Sequence, residues 1–483
     1  MSNPTNNYDI IIIGGGSAGY AAARTAVEEG LKTAVIDGAK ELGGLCILRG
    51  CMPSKTLIES ANRARIIREA SEFGLRADNY AFNSTEIRDR KRTLINDFSS
   101  YRKEQLEDGR FDLIRGYATF SDPHTVEVSL LDGGSQTVAF KSAVIATGSS
   151  IAVPPVEGLE ETGYLTSDDV LDSADVPDSI IVLGGGAIAM ELAHYYEGLG
   201  VKTTIIQRSP HTLKEFDEDI AEVIESSTRE RGATLYTGTS LKRVATSESG
   251  SKAVTFDTAD GEVTVEADEI LAALGRKPAL KKMGVDKISL ETKRSGHLVV
   301  TENQNTAQHP HIFAAGDVTG PLEIVHLAIE QGEIAARNAA KLLNDKNSTA
   351  LESFSTDLVV FVVFTHPQIG MVGLSEAQAK EQGIPYLVAS YPFDDHGKSM
   401  VMGETAGFVK LLAHKETGQL IGGAVVGPHA SDLIHEIVVA MNFGSTAEQF
   451  AKIPHYHPTL SEIWTYPAED LMEALDEAKT SSS

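Results

Sequence analysis

Two segments of the chain share one pattern of apolar and glycine positions. In the first, an apolar run at Tyr8–Ile13 leads through glycines and a stretch of small residues to a second run at Thr33–Asp37. In the other, Ser179–Leu183 leads in the same way to Thr203–Gln207. Short apolar runs bounded by glycine are typical of buried strands, and the small-residue stretches between them are typical of helices. Each segment is therefore predicted to fold as a β-strand, an α-helix and a parallel β-strand.

The glycines in both segments stand where a dinucleotide-binding turn requires them. The first turn carries Gly14, Gly16 and Gly19, and the second carries Gly184, Gly186 and Ala189. Glycine at these positions permits a tight turn and lets a pyrophosphate approach the backbone at the N-terminus of the helix. A polar residue about 20 positions further on completes the pattern in each segment. Two bound dinucleotides are therefore predicted.

The remaining apolar patterns place further elements along the chain. Residues 60–110 have helical periodicity, and their charged runs indicate a solvated helix face. Apolar runs that end in glycine at Ala143–Gly148 and Ile270–Gly275 predict strands that close the nucleotide-binding domains. From residue 350 the glycine patterns stop, which predicts a third domain. The longest apolar run, Leu358–Phe364, is too short to span a bilayer and predicts a buried strand.

Composition and charge exclude some classes of binding partner, and the first residues bear on the cellular location. The 483 residues include 42 basic and 68 acidic side chains, a net charge of −26, which argues against nucleic acid or anionic lipid as a partner. The 42% hydrophobic content is that of a globular protein. The first residues show neither a basic region nor an apolar core, so no secretory signal is predicted. A cytoplasmic location without membrane attachment is expected.

The two cysteines of the chain lie close together, at Cys46 and Cys51. A structural disulfide between them would close a small loop and add only about 2 kcal/mol of stability. A metal site would need further ligands, and the sequence contains no other cysteine. A redox-active pair remains as the interpretation. Pro53 suits the first turn of a helix, which would place Cys51 near a helix N-terminus, where the helix dipole and Lys55 stabilise a thiolate.

The stretch around these cysteines, Gly43–Lys55, resembles the active-site motif of the flavin-dependent pyridine nucleotide-disulfide oxidoreductases of class I. Further motifs follow in the family's order at Ala146–Gly148, Phe313–Asp317 and His455–Glu462, and the resemblance covers essentially the whole chain. The wording of the last motif is most similar to the dihydrolipoamide dehydrogenases of that family. Leu45 departs from the commoner threonine, but both thiols stay in register.

The resemblance implies an α/β fold with two Rossmann-like dinucleotide-binding domains and an α+β C-terminal dimerisation domain. The implied division is an FAD-binding domain at 1–150, an NAD(P)-binding domain at 151–276, a central FAD-binding part at 277–349 and the dimerisation domain at 350–483. Because the family places the catalytic histidine on the partner's active site, the resemblance also implies a homodimer with a shared active site.

By the same resemblance, Cys46 and Cys51 are the redox pair, His457 is the base and Glu462 orients that histidine. Without the resemblance, His455 and His457 would be loop histidines or two ligands of an incomplete metal site, and no metal is predicted. The residues implied to contact FAD are Gly14, Gly16, Gly19, Asp37, Gly44, Lys55, Ala118, Thr147, Gly148 and Asp317. Lys55 and Glu191 are implied to form an ion pair beside the flavin.

The residues near the second turn bear on the choice of nicotinamide. NAD-specific members of the family usually have a glutamate where Gln207 stands, whereas Arg208 and Lys214 resemble the basic pair that binds the phosphate of NADP. Ala189 in place of a third glycine favours the same choice. The residues expected to contact the nicotinamide nucleotide are Gly184, Gly186, Ala189, Glu191, Gln207, Arg208, Lys214 and Gly275. NADP is therefore favoured over NAD; the alternative interpretation is that Arg208 and Lys214 are two solvated cations.

These expectations combine into one predicted activity and two alternatives. The predicted activity is a dihydrolipoamide dehydrogenase-like transfer of electrons between NAD(P) and a small dithiol or a lipoyl-carrying protein, through FAD and the cysteine pair. The first alternative is an NADPH-dependent reductase of another small disulfide, similar to glutathione reductase. The second is a flavin-binding redox sensor without turnover.

Overall fold

The computed structural model describes residues 6–345 and 348–481, and its contacts divide the chain into two compact units. The first unit combines the chain up to Thr56 with Glu86–Ala152 and Gly275–Ser355. The second combines Leu57–Thr85, Val153–Leu274 and the chain from Thr356 onward. Each unit is therefore assembled from segments that are distant in the sequence. The domain bounds given above stay predictions.

The first unit is built on the predicted β-strand, α-helix, β-strand segment. Its leading elements are β1 (Asn6–Ile13), α1 (Ser17–Glu28) and β2 (Thr33–Asp37), and β1 pairs in parallel with β2. Four isoleucines in succession on β1, Ile10–Ile13, are buried, which places apolar side chains on both faces of the sheet. The first glycine-rich turn therefore joins a buried strand to a helix, as predicted.

Further strands and helices complete the first unit. These are α2 (Gly44–Arg49), the start of α3 (Cys51–Arg68), most of α4 (Ser84–Glu107), β3 (Asp112–Asp122), β4 (Thr125–Leu130), β5 (Ser135–Ile145), β6 (Ser149–Ile151), β14 (Arg276–Pro278), β15 (Ile312–Ala314) and α9 (Val325–Asn344). Strand β5 pairs in parallel with β1 and β15, while β4 joins β3 and β5 by antiparallel pairing. The run predicted as a strand before Gly148 is the end of β5.

The second unit contains the other predicted β-strand, α-helix, β-strand segment. Its elements up to residue 272 are α5 (Leu159–Thr162), α6 (Ser167–Asp172), β7 (Ser179–Leu183), α7 (Ala187–Leu199), β8 (Lys202–Ile206), α8 (Glu218–Glu230), β9 (Thr234–Tyr236), β10 (Ser240–Thr246), β11 (Lys252–Thr258), β12 (Gly261–Ala267) and β13 (Glu269–Ala272). A parallel sheet has the strand order β13-β7-β8-β9, and β10–β12 form a separate antiparallel sheet.

The C-terminal part of the second unit is an antiparallel sheet covered by helices. Its elements are β16 (Val360–Val363), β17 (Gln368–Gly373), α10 (Glu376–Glu381), β18 (Tyr386–Pro392), α11 (Gly397–Met402), β19 (Phe408–His414), β20 (Leu420–Gly427), α12 (Ala430–Asn442), α13 (Ala447–Ala451) and α14 (Thr465–Ser481). The strand order is β16-β17-β20-β19-β18. Trp464 is fully buried among side chains of this sheet and its helices.

One local expectation was wrong, and another has two exceptions. The run Leu358–Phe364 contains strand β16, but β16 lies at the edge of its sheet, and of its residues only Val363 is buried. An edge strand has a neighbouring strand on one side only, so its residues are less buried. A run of apolar residues does not distinguish an edge strand from a central one. The charged residues of 60–110 are not all solvated, because Arg65 and Lys91 are 9% and 5% exposed.

Candidate active site

The two cysteines lie on two consecutive helices. Cys46 lies in α2, and Cys51 is the first residue of α3, with Gly50 between the helices. The structure carries both residues as thiols, and the Cys46 thiol is hydrogen-bonded to the side chain of Cys51. This hydrogen bond, followed by burial, raises the pKa of Cys46 far above its usual value, and the charge of Lys55 offsets only a small part. Cys46 therefore holds its proton while the two sulfurs face each other.

The helix that carries Cys46 begins against the first glycine-rich turn. A Cβ atom added to Gly44, the first residue of α2, would lie 2.6 Å from the Cα of Gly16. Gly44 also has a φ of +77°, a conformation that glycine adopts without strain. Both backbone geometry and space thus require glycine here, and the requirement holds the thiol pair close to the predicted FAD turn.

The first turn has the shape of a pyrophosphate cradle. A Cβ on Gly19 would overlap the carbonyl oxygen of Gly14, and one on Gly14 would overlap the carbonyl oxygen of Ala146. Gly16, by contrast, would meet only the Cα of Gly44, at 3.8 Å. Gly16 precedes α1 without a capping side chain, so the first N–H groups of α1 are available to an anion. The cradle therefore fits a dinucleotide phosphate.

Two polar groups beside this turn also fit a cofactor. Asp37 ends β2 and is 8% exposed; its carboxylate accepts the N–H of Gly15 at 2.8 Å and that of Ala39 at 2.7 Å. The hydroxyl of Thr147 is buried and makes no hydrogen bond to the described residues. Because buried hydroxyls are nearly always paired, Thr147 indicates a missing polar partner such as a cofactor. Gly148 follows with open space around it.

A chain of polar contacts surrounds Asp317. Ser149 donates its hydroxyl to the Asp317 carboxylate at 2.6 Å and accepts the Arg276 Nε–H at 2.8 Å. Glu323 lies 4.0 Å from the same Arg276 nitrogen, and burial, with the charge of Asp317, raises its pKa to about 7. The sequence analysis did not find Ser149, Arg276 or Glu323, because the segments that hold them are far apart in the chain.

Arg102 is a further residue near the thiols that the sequence analysis missed. Its guanidinium lies 4.1 Å above the ring of Tyr20, and its Nε is buried without a hydrogen bond to the described residues. Burial lowers the pKa of Arg102, while the nearby Tyr20 and Cys46 oppose that shift. Arg102 belongs to α4, whose charged residues the sequence pattern had indicated to be solvated.

The second glycine-rich turn repeats the geometry with one change. A Cβ on Gly184 would overlap the carbonyl oxygen of Ala273, whereas Gly186 is surrounded by open space. Gly186 precedes α7, again without a capping side chain. Ala189 is 1% exposed, and its Cβ is 3.7 Å from the position that a Cβ on Gly184 would occupy. The space between α7 and its turn therefore accommodates the methyl group of Ala189.

The polar residues beyond β8 differ in their surroundings. The side-chain oxygen of Gln207 accepts the N–H of Arg208 at 3.1 Å. Arg208 and Lys214 are exposed, and neither side chain has a hydrogen bond or ion pair in the described part of the chain. Glu191 on α7 is 6% exposed, and its carboxylate accepts the N–H of Phe364 at 3.0 Å. The predicted ion pair between Lys55 and Glu191 stays a prediction.

The predicted base and its carboxylate are in contact within the second unit. The Nδ1 of His457 lies 3.0 Å from one oxygen of Glu462 and 3.2 Å from the other. The His457 side chain is 79% exposed and that of Glu462 is 11% exposed. A buried carboxylate thus holds an exposed imidazole by one nitrogen and leaves the other free to face a substrate. A second histidine, His396, also approaches Glu462, at 3.4 Å.

Two other predicted positions lie in ordinary surroundings. Ala118 lies in β3, and its side chain is part of the hydrophobic core of the first unit, so only its backbone could meet a cofactor. Gly275 has a φ of +125° and open space around it. Among residues 6–345 and 348–481, no helix is long and apolar enough to cross a membrane.

Two dinucleotide-type turns, one of them beside a thiol pair, are the features of a nucleotide-dependent oxidoreductase. Residues 8–332 match the pyridine nucleotide-disulphide oxidoreductase family, and residues 359–468 match the dimerisation domain of that family. The chain belongs to the pyridine nucleotide-disulphide oxidoreductase family. It is a flavoprotein of mixed α/β fold with a C-terminal dimerisation domain, and its cofactors are FAD and a pyridine nucleotide.

Several named proteins are similar over nearly the full chain. A dihydrolipoyl dehydrogenase of Geobacillus stearothermophilus is 33% identical over 469 residues, which cover 95% of this chain and 95% of its own. A mercuric reductase of Staphylococcus aureus is 35% identical over 451 residues, which cover 92% of this chain and 79% of its own. The crystal structure of LpdA from Mycobacterium tuberculosis has a TM-score of 0.84 and 30% identity, covering 97% of this chain and 100% of its own.

Proposed function

We propose that the protein is a dihydrolipoamide dehydrogenase-type enzyme, which transfers electrons between a dithiol and NAD(P). The observation that carries this proposal is the contact between Cys46 and Cys51, with Cys46 on a helix that begins against the predicted FAD turn. The similarity to dihydrolipoyl dehydrogenases along 95% of the chain supports the lipoyl substrate.

The residues that would hold FAD lie in the first unit. The N–H groups at the start of α1, with Gly14, Gly16 and Gly19 around them, would bind its pyrophosphate. Asp37 would accept the ribose hydroxyls, Thr147 would donate its buried hydroxyl, and Asp317 would accept from the ribityl chain. When bound, FAD supplies an acceptor for an electron pair from sulfur and a hydride donor for the nicotinamide.

The thiol exchange follows from the residues of the chain. With Cys46 and Cys51 oxidised to a disulfide, His457 takes the proton of a substrate thiol. The substrate thiolate attacks the sulfur of Cys46, the bond between Cys46 and Cys51 breaks, and Cys51 leaves as a thiolate. The second substrate thiol then gives its proton to Cys46 while its sulfur attacks the substrate sulfur bound to Cys46, the bond between that sulfur and Cys46 breaks, and His457 releases the first proton to solvent. The substrate leaves as a disulfide, and its electron pair stays on the two cysteines.

The charge distribution suits these two roles. The raised pKa of Cys46 keeps a proton on the outer sulfur, while Cys51 lies at the start of α3, where the helix dipole stabilises a thiolate. Glu462 stabilises the imidazolium that His457 becomes when it accepts the substrate proton. In this proposal His457 acts on the thiol pair of the partner subunit, so the homodimer is the active form.

The exposed cations beyond β8 favour NADP as the nicotinamide nucleotide. Arg208 and Lys214 follow the strand whose end is expected to meet the second ribose of a dinucleotide, and their exposed side chains have no hydrogen bond or ion pair to the described residues. Gln207 adds no negative charge that would repel a phosphate. The same observation favours the second candidate function, an NADPH-dependent reductase of a different small disulfide.

The experiment is a half-reaction panel on the purified flavoprotein. The enzyme is reduced with NADH or NADPH in a stopped-flow instrument and reoxidised with lipoamide, oxidised glutathione or other small disulfides. We expect lipoamide to react fastest and the Cys46→Ser variant to lose the reaction. A faster reaction with another disulfide would establish the second candidate, and no reaction with any disulfide would leave the redox-sensor alternative.

The nucleotide preference has its own variants. Arg208→Ala and Lys214→Ala should weaken NADPH binding and leave NADH binding nearly unchanged. Lys202→Ala is the matched control, because Lys202 is an exposed cation at the opposite end of the same strand, β8. Equal NADPH affinity in all three variants would refute the assignment of Arg208 and Lys214.

A further inference from the structure

The carboxylate of Glu462 lies between two imidazoles that differ in exposure. On one side is His457, in contact through Nδ1 and 79% exposed. On the other is His396, whose side chain has no exposed area and whose Nε2 is 3.4 Å from the Glu462 oxygen. His396 immediately precedes α11, far from Glu462 in the sequence. His396 lies outside the sequence motifs from which the site was predicted.

The surroundings of His396 determine which of its nitrogens carries the proton. Its Nδ1 lies 2.8 Å from the hydroxyl of Ser399, which is also fully buried. Its Nε2 makes no hydrogen bond within normal limits to the described residues, and the Glu462 carboxylate is the acceptor that it approaches. A lone pair on Nε2 would face a negative charge in a buried place, which is unfavourable. The favourable arrangement puts the proton on Nε2 and lets the Ser399 hydroxyl donate to Nδ1.

The other neighbours of His396 leave it uncharged. The rings of Phe393 and Tyr466 meet its ring edge to face, at 6.4 and 6.5 Å. Tyr391 stacks on Tyr466 and donates its hydroxyl to Asp395. Burial lowers the pKa of His396, His457 acts in the same direction, and Glu462 opposes them. A neutral imidazole can orient the carboxylate without competing with His457 for its charge.

We propose that His396 is a positioning residue that holds the Glu462 carboxylate toward His457 through its Nε2–H. This inference rests on the proposed role of His457 as the base. Both Glu462 oxygens face His457, and the Nε2 of His396 lies 3.4 Å from one of them, which restricts rotation of the carboxylate. Ser399 fixes the proton of His396 on the nitrogen that faces Glu462. Without this contact, Glu462 would rotate among several orientations and stabilise the imidazolium of His457 less.

The test measures the pKa of His457 directly, in the complete dimeric flavoprotein labelled at the histidine ring carbons. In His396→Leu, which lacks the donor, we expect the pKa of His457 to fall by about half a unit, because the carboxylate is held less firmly. In His396→Gln, whose amide N–H can replace Nε2–H, we expect the wild-type pKa. Phe393→Leu is the packing control and should leave the pKa of His457 unchanged.

Kinetics provide a second readout. The acid limb of the pH profile for reduction by dihydrolipoamide should move to lower pH by the same half unit in His396→Leu, and the rate above that limb should fall by no more than about threefold, because His457 is a weaker base. Ser399→Ala should cause a smaller change in the same direction. An unchanged His457 pKa in His396→Leu, or an equal change in Phe393→Leu, would overturn the proposal.

The proposed function has a separate test in His457→Gln. If that variant reacts with dihydrolipoamide as fast as the wild type, His457 is not the base and the proposed function fails. The histidine titration of His396→Leu needs no substrate, so it still decides whether His396 positions Glu462. The two failures are therefore distinguishable.

Discussion

Gly44 and Gly16 meet so closely that a single added carbon on Gly44 would lie 2.6 Å from the Cα of Gly16. Gly44 opens the helix that carries Cys46, and Gly16 belongs to the turn that would bind the FAD pyrophosphate. The backbone of the helix that carries Cys46 thus contacts the backbone of the glycine-rich turn directly, with no side chain between them. The thiol pair is therefore positioned by the same turn that would bind the FAD pyrophosphate.

Gly44→Ala should displace α2 from the FAD turn. Its φ of +77° costs an alanine about 1 kcal/mol, and the overlap with Gly16 adds to this cost. We expect lower FAD content and slower reduction of the thiol pair, measured by absorbance of the purified protein and by stopped flow. Gly74→Ala is the matched control, since Gly74 has a φ of +73° but open space around it. Equal FAD content in both variants would show that the close contact has no role.

Gly16→Ala and Gly19→Ala should separate cofactor binding from folding. A methyl group on Gly16 meets only an ordinary contact at 3.8 Å, so the chain should fold, but the group would occupy the cradle and weaken FAD binding. A methyl group on Gly19 would overlap the Gly14 carbonyl oxygen, so this variant should lose stability as well. Thermal unfolding and FAD titration of both variants measure the difference. Similar melting temperatures for the two would contradict this account.

Lys410→Met should strongly destabilise the C-terminal part of the second unit. The Lys410 side chain is 3% exposed, and its amine lies 3.0 Å from Asp217, 2.8 Å from Asp219 and 2.9 Å from Glu376. Removing the cation leaves these carboxylates close together, at a cost of about 3 kcal/mol. Urea unfolding followed by the fluorescence of the single tryptophan, Trp464, measures the change.

Lys452→Met provides the comparison for Lys410. Lys452 pairs with Glu448 at 2.7 Å, but both side chains are more than half exposed, at 67% and 54%. Solvent screens such a pair, so we expect a change below about 1 kcal/mol. If the two lysine variants unfold at the same urea concentration, burial of the Lys410 cluster does not contribute to stability.

Glu323→Gln should make the protein more stable at alkaline pH. The pKa of Glu323 is raised to about 7, so between its ordinary value and pH 7 the unfolded chain ionises first and stability falls as pH rises. Glutamine removes this loss, which amounts to no more than about 3 kcal/mol. We expect a higher melting temperature than the wild type at pH 8 and no difference below pH 4.5. The exposed residue Glu104, changed to Gln, is the control, and the same gain at pH 8 there would contradict the prediction.

The sequence by itself determined the local features of this protein. The glycine-rich turns, the strands before them and the helices after them are each formed by consecutive residues, so their spacing predicts them directly. The same holds for Cys46 and Cys51, which lie within a few residues of each other on consecutive helices. The family resemblance extended these predictions to His457 and Glu462, which are five positions apart.

Tertiary structure alone decided which distant side chains meet. His396 lies close to Glu462, and Ser149 hydrogen-bonds to both Arg276 and Asp317. Lys410 forms ion pairs with three carboxylates that lie far from it in the sequence. None of these contacts is visible in the neighbouring sequence, because packing of separate strands and helices brings the partners together. The burial that raises the pKa of Glu323 arises in the same way. Hydrophobic periodicity determines which face of an element is buried, but only the folded chain determines which polar groups are buried with it.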